Sequence, residues 1–88
     1  MTEETSALQE HALSDKKGEV IISGGVFVEI YRVRVKHMMA AQAADDELKR
    51  LAVIMLQVTL FDGKPPTADE IRNLYFEDFN AIIKTITQ

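Results

Sequence analysis

The order of stop and start signals in the C-terminal part of the chain constrains the fold more than any other feature. The run LAVIMLQVTLF has helical spacing, and the DG pair that follows suits a helix end, because glycine adopts the left-handed conformation found there. The PP pair prevents continuation, and a T-x-x-E capping box at Thr67 begins a further helical region. The pattern predicts a helix over 46–61 and a second helical region from about 68. A break at about 76–78 is expected in that region, because Asp78 would otherwise lie on its apolar face.

The N-terminal half has the alternation that is typical of β-strands. Two β-branched runs, EVIIS and VFVEIYRVRV, flank the pair Gly24-Gly25, and such a pair favours a tight hairpin turn. The apolar phase shifts after Ile30, which indicates a bulge or the end of the strand pairing near residues 30–32, or else a helix that has already begun near Arg32. The following run KHMMAAQAA predicts a short helix over about 36–43.

These elements together predict one small α+β domain over residues 18–88. Its N-terminal β-hairpin is followed by three to four α-helices, so the C-terminal part is helix-rich. Residues 1–17 are polar, with Leu8 and Leu13 as the large aliphatic residues after Met1, and a helix this short is marginal in water. We therefore expect residues 1–17 to form a flexible arm.

Composition excludes several classes of protein. The chain has no cysteine, so neither a disulfide nor a thiolate metal site is expected. Its N-terminus has no signal-peptide pattern, and its longest apolar run, about ten residues, is shorter than the roughly 20 of a membrane-spanning helix. The formal net charge of −4 argues against a general nucleic-acid binder. The expected location is the cytoplasm, either of the organism itself or of a host cell.

The candidate catalytic residues do not form a pattern that would support chemistry. His11 and His37 have no second ligand at metal-binding spacing within an ordered setting, and no serine has a base nearby. The acidic pairs stand where helix starts favour negative charge: Asp45-Asp46, Asp69-Glu70 and Glu77-Asp78. We expect a protein that is not an enzyme and uses no cofactor and no metal.

Two further features leave alternatives open. The cations Arg32, Arg34 and Lys36 alternate with apolar residues, so in a strand they would share either a solvated face or a patch for an acidic partner. The 46–61 helix is apolar nearly all round, with a stripe from Leu48 to Leu56 and further apolar residues on the remaining surface. Such a helix lies either at the centre of the core or against a partner or a second copy of the chain.

The order of these elements, and above all the segment FDGKPPTADEIRNLYFEDFNAII, resembles the small tail assembly chaperones of tailed bacteriophages. The resemblance covers about residues 19–88. Genes of this family lie between those for the tail tube and the tape-measure protein. The resemblance implies a non-catalytic protein of the host cytoplasm that keeps the long apolar tape-measure protein soluble and passes it to tail-tube subunits. It also implies absence from the finished virion and, in many such phages, a longer product of ribosomal frameshifting.

A chaperone of this kind would bind its client by helix-in-groove contact. The predicted partner-binding residues are Ile54, Val58 and Phe61 on an exposed stripe of the 46–61 helix, together with Tyr75, Phe76 and Phe79. The resemblance implies no role for the three cations. The alternatives are a structural tail or connector subunit that remains in the particle, and a small protein-binding regulatory adaptor. Self-association into a homo-oligomer also remains open.

Overall fold

The computed structural model describes residues 15–88 and confirms the predicted α+β class. Within these residues three antiparallel strands form one sheet in the order β1-β2-β3, accompanied by four helices. The elements in chain order are β1 Lys16–Ile22, β2 Val26–Tyr31, α1 Val35–Ala41, α2 Glu47–Val58, β3 Thr59–Phe61, α3 Ala68–Arg72 and α4 Phe76–Thr87. The predicted arm falls mostly outside the described residues, and its boundary was wrong by two residues because β1 already begins at Lys16.

The predicted hairpin is confirmed. The turn Ser23–Gly25 joins β1 and β2, with Gly24 and Gly25 at φ values of 80° and 75° that glycine adopts without strain. The irregularity expected near residues 30–32 lies in the partner strand, where the register shifts between Lys16 and Gly18. This bulge lies opposite Ile30 and Tyr31.

The predicted 46–61 helix is wrong at its C-terminal end, where the chain changes from helix to strand. Helix α2 ends at Val58, and Thr59–Phe61 forms β3, which pairs with β2. The pair Asp62-Gly63 does not cap a helix. Its φ values of 50° and 81° instead form a two-residue turn, and the Phe61 and Lys64 backbones exchange hydrogen bonds of 2.7 and 3.0 Å across it.

The predicted helix starts are confirmed at two caps. The Lys49 N–H donates to Asp46 Oδ1 at 2.8 Å at the start of α2. At the start of α3, the Glu70 N–H donates to Thr67 Oγ1 at 3.1 Å, and the Thr67 N–H donates to Glu70 Oε1 at 2.9 Å.

The break in the last helical region lies at residues 73–75, earlier than predicted. The side-chain amide of Asn73 donates to the carbonyl of Asp69, which closes the end of α3. Helix α4 begins at Phe76, so Asp78 lies in its first turn, where the helix dipole favours negative charge. Asp78 Oδ1 there accepts the Ser23 N–H at 3.3 Å, and no apolar face has to contain this carboxylate.

The buried side chains form two clusters that meet at α2. The first cluster comprises Ile22, Val28, Ile30, Met55, Phe61, Ile71, Phe79 and Ile82. The second comprises Tyr31, Ala41, Ile54, Val58 and Leu60. Because α2 contributes Met55 to one cluster and Ile54 and Val58 to the other, a wide part of its surface has to be apolar. The apolar surface of α2 is thus explained by its central position in the core.

Candidate protein-binding groove

The structure separates the six predicted partner-binding residues into two groups. Four of them are buried within the domain: Ile54, Val58, Phe61 and Phe79. The expected exposed stripe on the 46–61 helix is therefore wrong, because sheet and helices already cover that side of α2. Tyr75 and Phe76 remain 66% and 69% exposed.

An apolar groove of about 300 Å³ lies beside this exposed aromatic pair, between α2, α3 and α4. Its lining residues are Leu48, Lys49, Ala52, Ile71, Arg72, Leu74, Phe76 and Phe79. Leu48 is 59% exposed at one side of the groove, and Phe76 stands at another. Ile71 and Phe79 are buried side chains that supply apolar surface at the base.

Local helix geometry explains why these large side chains are not covered. Phe76 is the first residue of α4 and Tyr75 is its N-cap, so no preceding helical turn shields them. Leu48 lies in the first turn of α2, directly after the cap at Asp46. The apolar stripe from Leu48 to Leu56 predicts a buried Leu48, and this prediction is wrong; the place of Leu48 in a first turn is the signal that identifies it as exposed.

The charged groups around the groove are paired within the chain. Lys49 Nζ lies 3.3 Å from Asp45 Oδ1 and 3.8 Å from Asp46 Oδ2, and Arg72 is paired with Asp69. A second depression next to the groove is acidic, with Tyr75 beside Asp69, Glu70 and Asp78. The groove thus has an apolar centre, and the charged residues in its lining are the cations Lys49 and Arg72, each paired with nearby carboxylates.

The three cations singled out in the sequence do not share a strand face, because β2 ends at Tyr31. Arg34 is the N-cap of α1, and its guanidinium lies 2.6 Å from Asp15 Oδ2. The backbone N–H of Arg34 donates to His37 Nδ1 at 2.9 Å, so the buried His37 side chain caps the start of α1. Arg32 belongs to the connection before α1 and Lys36 to α1 itself.

Across residues 15–88, no three His, Asp or Glu side chains are grouped so that they could hold a metal ion. Every buried side-chain nitrogen or oxygen in this part of the chain has a hydrogen-bond partner. No helix in the described region is long and apolar enough to cross a membrane.

Comparisons of the chain with protein-family models, with curated proteins and with solved structures find no match.

Proposed function

We propose that this protein is a tail assembly chaperone of a tailed bacteriophage, which acts in the host cytoplasm by binding the tape-measure protein without catalysis. The observation that carries the proposal is the apolar groove between α2, α3 and α4, with Leu48 and Phe76 exposed at its sides. The resemblance of residues 19–88 to that family supplies the identity of the client.

The groove has the chemistry that an amphipathic client helix requires. Buried Ile71 and Phe79 and small Ala52 leave room for apolar side chains that project from such a helix at i, i+3 and i+4 spacing. Phe76 and Leu48 can then cover the inserted side chains from outside, and aromatic anchors of this kind contribute much of the binding energy in protein interfaces.

Co-expression with the tape-measure protein tests the proposal. The tape-measure protein should remain soluble with the wild type and should precipitate with the double variant Leu48→Asp/Phe76→Asp. Both side chains are more than half exposed, so the variant should remain folded, as circular dichroism can verify. The physical reason is that two carboxylates in an apolar groove would lose hydration when a client helix binds.

The control is Met39→Asp, which places a carboxylate on an exposed apolar residue of α1, outside the groove. This variant should keep the client soluble as well as the wild type does. If the groove variant is folded and retains full activity in this assay, the groove is not the binding site. If the wild type itself leaves the tape-measure protein insoluble and forms no complex with it, the chaperone function is wrong.

A further inference from the structure

The two edges of the sheet differ in how much of their backbone is already paired. β3 is only three residues long, and its outer edge is occupied where Phe61 exchanges backbone hydrogen bonds with Lys64. β1 is seven residues long and forms the opposite edge. No described residue donates a backbone hydrogen bond to the outer side of β1 or accepts one from it.

The hydrogen bonds of Phe27 identify which β1 residues point outward. The Phe27 N–H donates to Asp62 Oδ1 at 3.0 Å, and its carbonyl accepts the Asp62 N–H at 2.7 Å. Phe27 therefore directs both backbone groups away from β1, and its cross-strand neighbour Ile21 is in a non-hydrogen-bonded pair. Ile21, and Glu19 two residues before it, consequently present their N–H and C=O groups at the free edge.

Charged side chains often protect an exposed edge strand, but here the charges are engaged within the chain. Lys17 Nζ donates to the Ile86 carbonyl at 2.7 Å, at the end of α4. Glu19 is paired with Lys16 at 2.8 Å. Between these groups and the turn, Ile21 is 68% exposed, and β1 contains no proline. Among the described residues none covers this edge, which is apolar at Ile21 and suited to pairing.

We propose that β1 pairs antiparallel with β1 of a second copy of this chain around a two-fold axis at Val20. In this register the outward groups of Glu19 in each copy meet those of Ile21 in the other, which gives four backbone hydrogen bonds. No two like charges lie directly opposite each other, and the paired sheets form one continuous six-stranded sheet. A second copy fits because it presents the same two outward residues at the same spacing.

The single use of β1 and the partly occupied edge at β3 explain why this pairing would stop at a dimer. Each copy uses β1 once, in an isologous contact, and Phe61 and Lys64 leave the opposite edge partly occupied. Pairing through β1 leaves the groove between α2, α3 and α4 accessible, since none of its lining residues belongs to β1. The inference therefore goes beyond the proposed chaperone function and can be tested on the chain alone.

Light scattering over a range of protein concentrations, combined with two variants of one residue, tests both the dimer and its register. Ile21→Glu places two pairs of carboxylates directly opposite each other across the two-fold axis, because Glu19 of the second copy is the partner of residue 21. Ile21→Lys places opposite charges there instead. We expect a wild-type dimer, a dissociation constant at least roughly tenfold higher for the Glu variant than for the Lys variant, and a smaller difference at high salt.

Amide hydrogen exchange of the wild type provides the second measurement. The N–H groups of Glu19 and Ile21 should be protected at concentrations where the dimer forms and should exchange rapidly on dilution. A wild type that is monomeric at every concentration would overturn the proposal. So would equal dissociation constants for the two variants, or a dimer in which these two amides exchange as fast as in the monomer.

Discussion

At the scale of single residues, Tyr31 shows how the second cluster incorporates a polar group. Its ring is buried, and its hydroxyl donates to Glu29 Oε2 at 2.8 Å. Lys16 Nζ lies 3.9 Å from the same carboxylate, so the phenol, the carboxylate and the amine form a chain of contacts along one side of the sheet. Burial, and secondarily the hydrogen bond and negative charge of Glu29, raise the pKa of Tyr31 to about 12.

This pKa leads to a prediction about stability at alkaline pH. The folded-state pKa lies above the ordinary value of about 10, so the neutral phenol is favoured by folding. The contribution of the neutral Tyr31 phenol to the free energy of unfolding should be complete below pH 10 and should disappear as the pH rises through about 12. Urea denaturation at a series of alkaline pH values measures this loss, and Tyr31→Phe should reduce it. An equal loss in the wild type and in Tyr31→Phe would contradict the assignment to Tyr31.

At the scale of secondary-structure elements, the Asp62-Gly63 turn decides how the chain leaves the sheet. Two consecutive residues with positive φ form the type of turn whose twist matches that of antiparallel strands. Asp62 also binds both backbone groups of Phe27, so the turn holds β3 against β2. The DG pair therefore reverses the direction of the chain after β3 and also supplies hydrogen bonds that hold β3 to β2.

Substitution of Gly63 tests the importance of the turn. A Cβ at this position would meet no atom within 4 Å, so only the φ of +81° opposes a side chain. Gly63→Ala should lower the free energy of unfolding by about 1–2 kcal/mol, measured by urea denaturation. Gly63→Asn should lower it less, because asparagine tolerates positive φ. An alanine variant as stable as the wild type would contradict the role of backbone conformation here.

At the scale of the whole molecule, α2 serves two apolar clusters while its first turn borders the groove. Ile54 and Val58 are buried in the second cluster, whereas Leu48 is more than half exposed. Substitutions in α2 therefore fall into two groups: those at buried positions change the stability of the fold, and those at exposed positions change the surface of the groove. If β1 forms the proposed dimer and the client binds in the groove, each dimer would present two grooves. A client with two suitable helices would then bind with increased avidity.

This division predicts that the same substitution has very different effects on stability at two positions of α2. Val58→Asp should cost about 4 kcal/mol or more, because it buries an unpaired carboxylate at a position with 0% exposure. Leu48→Asp should change the free energy of unfolding by less than about 1 kcal/mol, since surface substitutions usually have small effects. Circular dichroism during urea denaturation measures both values. If the two variants lose similar stability, the assignment of Val58 to the core and Leu48 to the surface is wrong.

Local signals determined much of this architecture. Gly24-Gly25 between β-branched runs identified the hairpin, and the caps at Asp46 and Thr67 identified two helix starts, because each signal acts through its own backbone neighbours. Tyr75 and Phe76, two of the predicted partner-binding residues, are exposed beside the groove. The chaperone function and its client remain proposals.

The tertiary structure decided what depends on contacts between distant segments. Thr59–Phe61 has apolar residues that fit a helix or a strand, and pairing with β2 some thirty residues earlier selects the strand. Ile54, Val58, Phe61 and Phe79 are apolar in either setting, and only the packing of sheet and helices around α2 determines that they form core instead of a binding surface. Sequence alone therefore specified the Gly24-Gly25 hairpin turn, two helix caps and the fold class, whereas the Asp62-Gly63 turn, the boundary of α2, the exposed residues and the open edge of β1 follow from long-range packing.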